Sequence, residues 1–238
     1  MTNIYTNFKS FSKYPSIDVG PIAILWLEKN EVIPAAEIES VLNASEKTLR
    51  DSYKSKNRRF EFERSRWLIR TSTKYSDPLE KTKFGSPGWP DKHIGSITHK
   101  EGYVGIAIHP ESDFIGLGID AENPNRMKVD FAERVLVDEE KSMIDVWSKN
   151  LAITPEAVMT IIFSFKESIF KCVFPLGGEM FYFPDAQITN IDPDGKIEAK
   201  ILIETSPHTN AGCKITGNYV YWQNDETALY LTCAYLKN

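Results

Sequence analysis

The chain has 238 residues, enough for one large domain or two of about 100 to 120 residues. Its 42% hydrophobic and 26% charged residues are those of an ordinary globular protein and exclude a disordered chain. A net charge of −5 argues against a dedicated nucleic-acid binder, and no run approaches the ~20 apolar residues of a membrane span.

The amino terminus carries no apolar leader segment. Cys172, Cys213 and Cys233 are odd in number and widely spaced, with no CxxC pair, so neither a disulfide framework nor a structural zinc site is expected. These features together predict a cytoplasmic protein.

Along the chain, Pro21–Leu27 is a short apolar run and predicts a buried strand. Pro34–Leu42 and Glu46–Thr73 read as helices, the second lying in a basic stretch from Lys47 to Lys83 that includes Arg58, Arg59, Arg64, Arg66, Arg70 and Lys74. Such a stretch can bind an anion or simply form a solvated helix face. Lys83–Asp91 is punctuated by Gly85, Pro87, Gly88 and Pro90 and reads as loop.

Strands are expected at Ile94–Thr98, Tyr103–Ile108 and Phe114–Asp120, with Lys100-Glu101-Gly102 as a hairpin turn. Asn123-Pro124 breaks the chain before a helix over Phe131–Trp147. Thr154-Pro155 starts another helix, which Pro175 should stop at Phe174. Phe181–Phe183, Ala186–Ile191, Lys196–Glu204, Asn218–Gln223 and Thr227–Leu236 predict strands, with turns at Asp192–Gly195 and Asn224–Glu226. Helices precede antiparallel strands twice, which predicts an α+β chain of two similar halves, 1–115 and 116–238.

Four fragments carry the chemistry. In Gly116-Leu117-Gly118-Ile119-Asp120-Ala121-Glu122 two carboxylates stand at i and i+2, on one side of a strand. That pair suits Mg²⁺, which takes one or two protein carboxylates, or it is an exposed acidic strand end. The glycines lack the third glycine and the helix entry of a dinucleotide fingerprint. In Phe165-Lys166-Glu167-Ser168-Ile169-Phe170-Lys171, Glu167 and Lys171 share a helix face, either as a surface ion pair or as part of a polar site on a central helix. His99 ends the segment Trp89–His99, and Arg66 lies in the arginine-rich helix. A lone histidine at a strand end is more often structural than an anion contact, and a solvated face is the default for such an arginine.

Taken together, the arginine-rich helix, GWP…GSITH, GLGIDAE and FSFKESIFK resemble the Sfp-type 4′-phosphopantetheinyl transferases, nearest the enterobactin synthetase component D-like branch. The resemblance runs from about Arg58 to Lys171. It implies a pseudo-dimer of two α+β halves with the active site in the cleft between them. It also implies transfer of the 4′-phosphopantetheine arm of coenzyme A to a serine of an apo acyl- or peptidyl-carrier protein, releasing adenosine 3′,5′-bisphosphate.

Residue by residue, the resemblance makes Asp120, Glu122 and Glu167 ligands of Mg²⁺, with Glu167 alternatively the base toward the carrier serine. Lys166 and Lys171 would contact pyrophosphate, Lys171 as part of the catalytic group. Thr98 (serine in most of the family), His99 and Arg66 would bind coenzyme A. Ser65 stands where glycine usually precedes that arginine. The implied partners are coenzyme A and a small acidic carrier, with no nucleic acid or membrane, and the chain is expected to act as a monomer in secondary-metabolite biosynthesis. The Phe131–Trp147 helix with Arg126, Lys128 and Arg134 is a candidate docking surface, though core packing explains its apolar residues equally well. A Mg²⁺-dependent phosphohydrolase and a non-catalytic coenzyme A- or carrier-binding module are the alternatives.

Overall fold

The computed structural model describes residues 15–237 apart from Lys74, Asn125 and Lys128, with Val129 and Asp130 described in backbone only. The expectations for Lys74 and Lys128 lie outside the described residues. Two units divide the chain: one runs to Asp18 and resumes at Ala23–Asp113, the other takes Val19–Ile22 and Phe114 onward. The secondary structure is α+β, as the pattern predicts.

In the first unit, β1 (Ser16–Val19), β2 (Ile22–Leu27), β3 (His93–Lys100) and β4 (Tyr103–Pro110) form a sheet in the order β1-β2-β4-β3. Lys100 pairs with Tyr103 across the predicted hairpin turn. Glu101 and Gly102 both take positive φ there, at 52° and 88°, the backbone that a tight two-residue hairpin requires. Three helices, α1 (Ala35–Val41), α2 (Ala44–Ser52) and α3 (Lys56–Ser72), accompany the sheet. Ile38, Leu42, Phe62, Trp67, Leu68 and Ile69 join Leu25, Leu27, Val104 and Ile106 in one apolar core.

The predicted helix Glu46–Thr73 is two helices, a correction with a local cause. Tyr53 turns to an extended backbone (φ −73°, ψ 124°), and the Ser55 hydroxyl then accepts the Arg58 N–H to cap α3. A serine cap with no proline or glycine beside it is a weak boundary signal in a run of good helix formers.

The second unit holds β5 (Phe114–Glu122), the one-turn α4 (Val129–Ala132), α5 (Asp138–Leu151), α6 (Pro155–Gly177), and β6 (Ala186–Ile191), β7 (Lys196–Ile201), β8 (Lys214–Gln223) and β9 (Ala228–Lys237). The five strands form an antiparallel sheet ordered β5-β9-β8-β7-β6, so the first strand lies beside the last. The 23-residue α6 packs on β5 and β9, burying Val158, Ile161, Ile162, Phe165, Ile169 and Val173.

Three further expectations change here. Phe131–Trp147 is not one helix: a loop separates α4 from α5, where the Glu140 carboxylate accepts the Val137 N–H. Pro175 does not stop α6, which continues to Gly177 and ends at Gly178 with φ 75°. So close to the end, the missing proline N–H costs one hydrogen bond, and glycine supplies the left-handed cap. Phe181–Phe183 forms no strand; Phe183–Asp185 is a 3₁₀ turn instead. No helix among the described residues is long and apolar enough to cross a membrane.

Candidate active site

The second-unit cluster depends on how closely α6 approaches β5. A Cβ on Gly118 would stand 1.9 Å from the Ser168 carbonyl oxygen and 2.7 Å from the Cys172 nitrogen, and one on Gly116 would stand 2.8 Å from the Cys172 carbonyl. Only glycine lets the helix backbone rest directly on the strand. Gly118→Ala should therefore push α6 outward, costing ~1–3 kcal/mol as overpacking does. It should also lengthen every side-chain bond between the two elements. Chemical denaturation checks this, and an alanine variant as stable as the parent would mean the helix has room to spare.

That approach sets Asp120 at the centre of a polar cluster. Its Oδ1 accepts from Lys171 Nζ at 2.8 Å, and Lys171 also donates to the Ile119 carbonyl at 3.0 Å. Its Oδ2 accepts from Ser164 Oγ at 2.9 Å. Glu122, two residues along β5, lies 4.0 Å from the exposed Arg126 guanidinium, which stacks over Phe131 and Phe163. Glu167 is half-buried on α6. Burial pushes its carboxyl up, the Asp120 carboxylate adds to the rise, Lys171 opposes it, and Glu122 adds a little more. Three carboxylates and one ammonium thus act on one another.

Lys166 is not among them, and this corrects the expectation that it contacts pyrophosphate. Its side chain lies in the core, 2% exposed, and its ammonium donates to Glu140 Oε2 at 2.7 Å and the Val135 carbonyl at 2.8 Å. Glu140, itself 0% exposed, also accepts the Ile188 N–H at 2.6 Å. Burial pushes the Glu140 carboxyl up and the Lys166 ammonium down, each offset by its partner. The pair clamps the start of α5 and the edge strand β6 to α6. Adjacent helix positions point about 100° apart, so Lys166 faces inward where Glu167 faces the cluster.

In the first unit, His99 stands between two side chains of α3. Arg58 Nη1 lies 2.9 Å from His99 Nε2, and Glu61 Oε1 lies 3.2 Å from Nδ1. A guanidinium only donates, so Nε2 accepts and the proton resides on Nδ1, directed at Glu61. Thr98 is 1% exposed, with no hydrogen-bond partner for its hydroxyl among the described residues. Trp89 covers the next turn of the motif: a Cβ on Gly95 would stand 2.7 Å from its ring.

Arg66 departs from expectation. It is 5% exposed, lies over the Phe62 ring, and has Nε 3.2 Å from Glu46 Oε1 at an angle too poor for a hydrogen bond. Burial pushes its pKa down to about 10, with Glu46 opposing. Glu46 is buried too and accepts from Arg70 and from the Leu79 and Asn43 N–H groups. Arg64 is likewise buried, donating to the Glu28 and Glu31 carbonyls. The side chains of three arginines of the basic stretch are therefore buried within the first unit, with Arg66 packed between the Phe62 ring and the Glu46 carboxylate.

Comparison with known proteins bears on both clusters. Residues 116–221 match the 4′-phosphopantetheinyl transferase superfamily, and residues 45–109 match the 4′-phosphopantetheinyl transferase N-terminal domain. The 4′-phosphopantetheinyl transferase PptT of Mycobacterium tuberculosis is 30% identical over 167 residues, covering 67% of this chain and 69% of that protein. The chain belongs to the 4′-phosphopantetheinyl transferase superfamily.

Two other members of the superfamily match over shorter stretches. The 4′-phosphopantetheinyl transferase Svp of Streptomyces mobaraensis is 35% identical over 129 residues, 53% of this chain and 50% of that protein. The 4′-phosphopantetheinyl transferase Npt of Nocardia iowensis is 27% identical over 121 residues, 51% of this chain and 52% of that protein. The chain thus spans about half the length of Svp and of Npt in these matches.

The second-unit cluster offers oxygens of the kind a divalent cation takes. Asp120 and Glu122 offer hard oxygens from one side of β5, and the mutual repulsion felt at Glu167 is what a divalent cation would relieve. Among the described residues, however, no three His, Cys, Asp or Glu side chains are gathered into a metal-holding group. The expected three-carboxylate ligand set is therefore not preassembled. The arrangement fits a cation held by one or two carboxylates, with water and phosphate oxygens completing its shell.

Sequence reasoning missed Glu140, Glu61 and Ser164. Glu61 lay in view as the only acid of Arg58–Glu61, three residues from Arg58 on one helix face. Ser164 and Ser168, spaced i and i+4 inside an otherwise apolar stripe, were the one available sign of a buried polar seam.

Proposed function

We propose that the protein transfers the 4′-phosphopantetheine arm of coenzyme A to a serine of an apo acyl- or peptidyl-carrier protein in a Mg²⁺-dependent reaction, releasing adenosine 3′,5′-bisphosphate. The observation that carries this reading is the Asp120–Lys171–Glu167 cluster, built by GLGIDAE and FSFKESIFK inside the stretch that matches the superfamily.

Asp120 and Glu122 would hold the magnesium ion, which when bound supplies Lewis acidity toward pyrophosphate oxygens. The carrier serine is a poor nucleophile at neutral pH and needs a base. Glu167, whose carboxyl is held above its ordinary range, is suited to take the serine proton as the oxygen–phosphorus bond forms. The bond from phosphorus to the bridging pyrophosphate oxygen then breaks, and charge grows on the departing adenosine bisphosphate. Lys171 uses two of its three N–H donors on Asp120 and the Ile119 carbonyl, leaving one to meet that charge. His99 would bind a phosphate of coenzyme A, and the buried, unpartnered Thr98 hydroxyl would gain a partner there.

The carrier is expected to be acidic, and the exposed Arg126 and Arg134 are the described cations placed to meet it. Of the apolar residues of α5, Ile144 and Trp147 are buried in the core and unavailable for docking, whereas Val146 is exposed.

Incubating the protein with coenzyme A, Mg²⁺ and a set of apo carriers tests the reading by mass spectrometry. The expected result is the mass gain of one phosphopantetheine arm on at least one carrier, abolished by chelating the metal. Diphosphate hydrolysis without carrier, or coenzyme A binding with no mass gain on any carrier, would overturn it.

A further inference from the structure

Behind Asp120 runs a line of hydroxyls that the proposed chemistry does not use. Ser164 Oγ lies 2.9 Å from Asp120 Oδ2, Thr232 Oγ1 lies 2.9 Å from Ser164 Oγ, and Ser168 Oγ lies 2.8 Å from Thr232 Oγ1. Ser164 and Ser168 come from one face of α6. Thr232 comes from β9, where it pairs directly with Asp120 of β5. All three hydroxyl residues are 0% exposed.

Elementary chemistry sets the direction of every bond. Each hydroxyl has one proton to give. Asp120, paired with the Lys171 ammonium, is a carboxylate and only accepts, so Ser164 donates to Oδ2. The Ser164 oxygen is then an acceptor for Thr232, and the Thr232 oxygen an acceptor for Ser168. The Thr232 carbonyl, 3.3 Å from Ser168 Oγ, is the longer alternative for that last proton. The result is a single directed chain, Ser168 to Thr232 to Ser164 to Asp120, in which each bond polarises the next toward the carboxylate.

A core that needed only filling would hold alanine and valine at these positions, with no polar group left to satisfy. Hydroxyls earn their place only if the carboxylate must be held. Lys171 grips Oδ1, the hydroxyl chain grips Oδ2, and together they fix the rotation of the carboxyl group.

We propose that Ser164 and Thr232 are positioning residues, a buried hydroxyl chain that locks the Asp120 carboxylate in the orientation it needs to meet a divalent cation. This deepens the transfer reading above and rests on its assignment of Asp120 as a metal ligand.

The test is an equilibrium titration with Mn²⁺, followed by its electron paramagnetic resonance signal with coenzyme A present, and with a melting curve for each variant. Ser164→Ala should weaken Mn²⁺ binding about tenfold, as loss of a hydrogen bond to a charged group does. Thr232→Val, which keeps the side-chain volume, should weaken it about threefold, because it removes only the polarising link. Thr232→Ser should restore the wild-type affinity. The double variant Ser164→Ala/Thr232→Val should bind no more weakly than Ser164→Ala alone, since Thr232 acts through Ser164.

Wild-type Mn²⁺ affinity in both Ser164→Ala and Thr232→Val overturns the proposal. So do additive losses in the double variant, or a wild-type protein that binds no Mn²⁺. Should Ser164→Ala fail to fold, the contrast between Thr232→Val and Thr232→Ser decides alone. A wild-type protein that binds Mn²⁺ but modifies no carrier sinks the transfer reading, and the same titration still judges the hydroxyl chain.

Discussion

Glu167→Gln is expected to slow arm transfer by about 10²–10⁴-fold, the range that a positioned general base supplies, while making the ligand-free protein harder to melt at neutral pH. Both effects have one cause. Burial, followed by the Asp120 carboxylate, holds the Glu167 carboxyl above its ordinary value of 4.5, with Lys171 opposing and Glu122 adding. An acid whose folded pKa lies above its unfolded one binds its proton more tightly when folded. Stability is therefore gained as pH falls through the folded pKa toward the unfolded one, and is lost above that window.

At pH 7 the ionised Glu167 therefore strains the fold, and the neutral glutamine of the same shape relieves it. In the ligand-free protein the same shift predicts that the stabilising effect of Glu167→Gln fades as pH falls, because the wild-type carboxyl then takes up its proton. Rates by carrier mass, and melting curves without ligand at neutral and at acid pH, measure the three. An unchanged rate in Glu167→Gln removes its role as base, and a lower melting temperature removes the electrostatic account.

Glu140→Ala should cost ~3–5 kcal/mol of stability, the loss seen when one partner of a buried ion pair is removed. It strands the Lys166 ammonium in the core and also orphans the Ile188 and Val137 N–H groups. Removing both charges as Glu140→Leu/Lys166→Met should recover part of that loss, because no uncompensated charge remains. Urea unfolding of the single and double variants provides the comparison. If the double variant were the less stable, the pair would be contributing more than neutralisation. Folded Lys166→Met should keep the wild-type KM for coenzyme A; a large rise at unchanged stability would return Lys166 to the phosphate.

Much of the architecture was legible from local signals. Thr154-Pro155 starts α6 where a hydroxyl cap and an N1 proline say it should, and the Glu101-Gly102 turn follows from glycine's tolerance of positive φ. The α5 boundary was not legible, because what begins that helix is the Glu140 carboxylate. Its other partners, Lys166 and the Ile188 N–H, are 26 and 48 residues away in sequence. The misread arginines have the same origin. Arg64, Arg66 and Arg70 look like a solvated basic face until the Glu28 and Glu31 carbonyls and the Glu46 carboxylate are brought to them.

Residue type and spacing alone determined that this chain has two carboxylates on one side of a strand end, and a glutamate–lysine pair on a long helix. Alternation and helical period are properties of the backbone, and no distant residue can change them. Only the tertiary structure decided which of those charges can meet a ligand. Gly116 and Gly118 let α6 settle onto β5, which joins Lys171 and Ser164 to Asp120 and sets Glu167 among like charges. Packing within each unit likewise turns Lys166 in the second and Arg66 in the first inward to buried carboxylates. A cation's role depends on what lies within a few ångströms of it, and sequence spacing carries that information only along a single helix or strand.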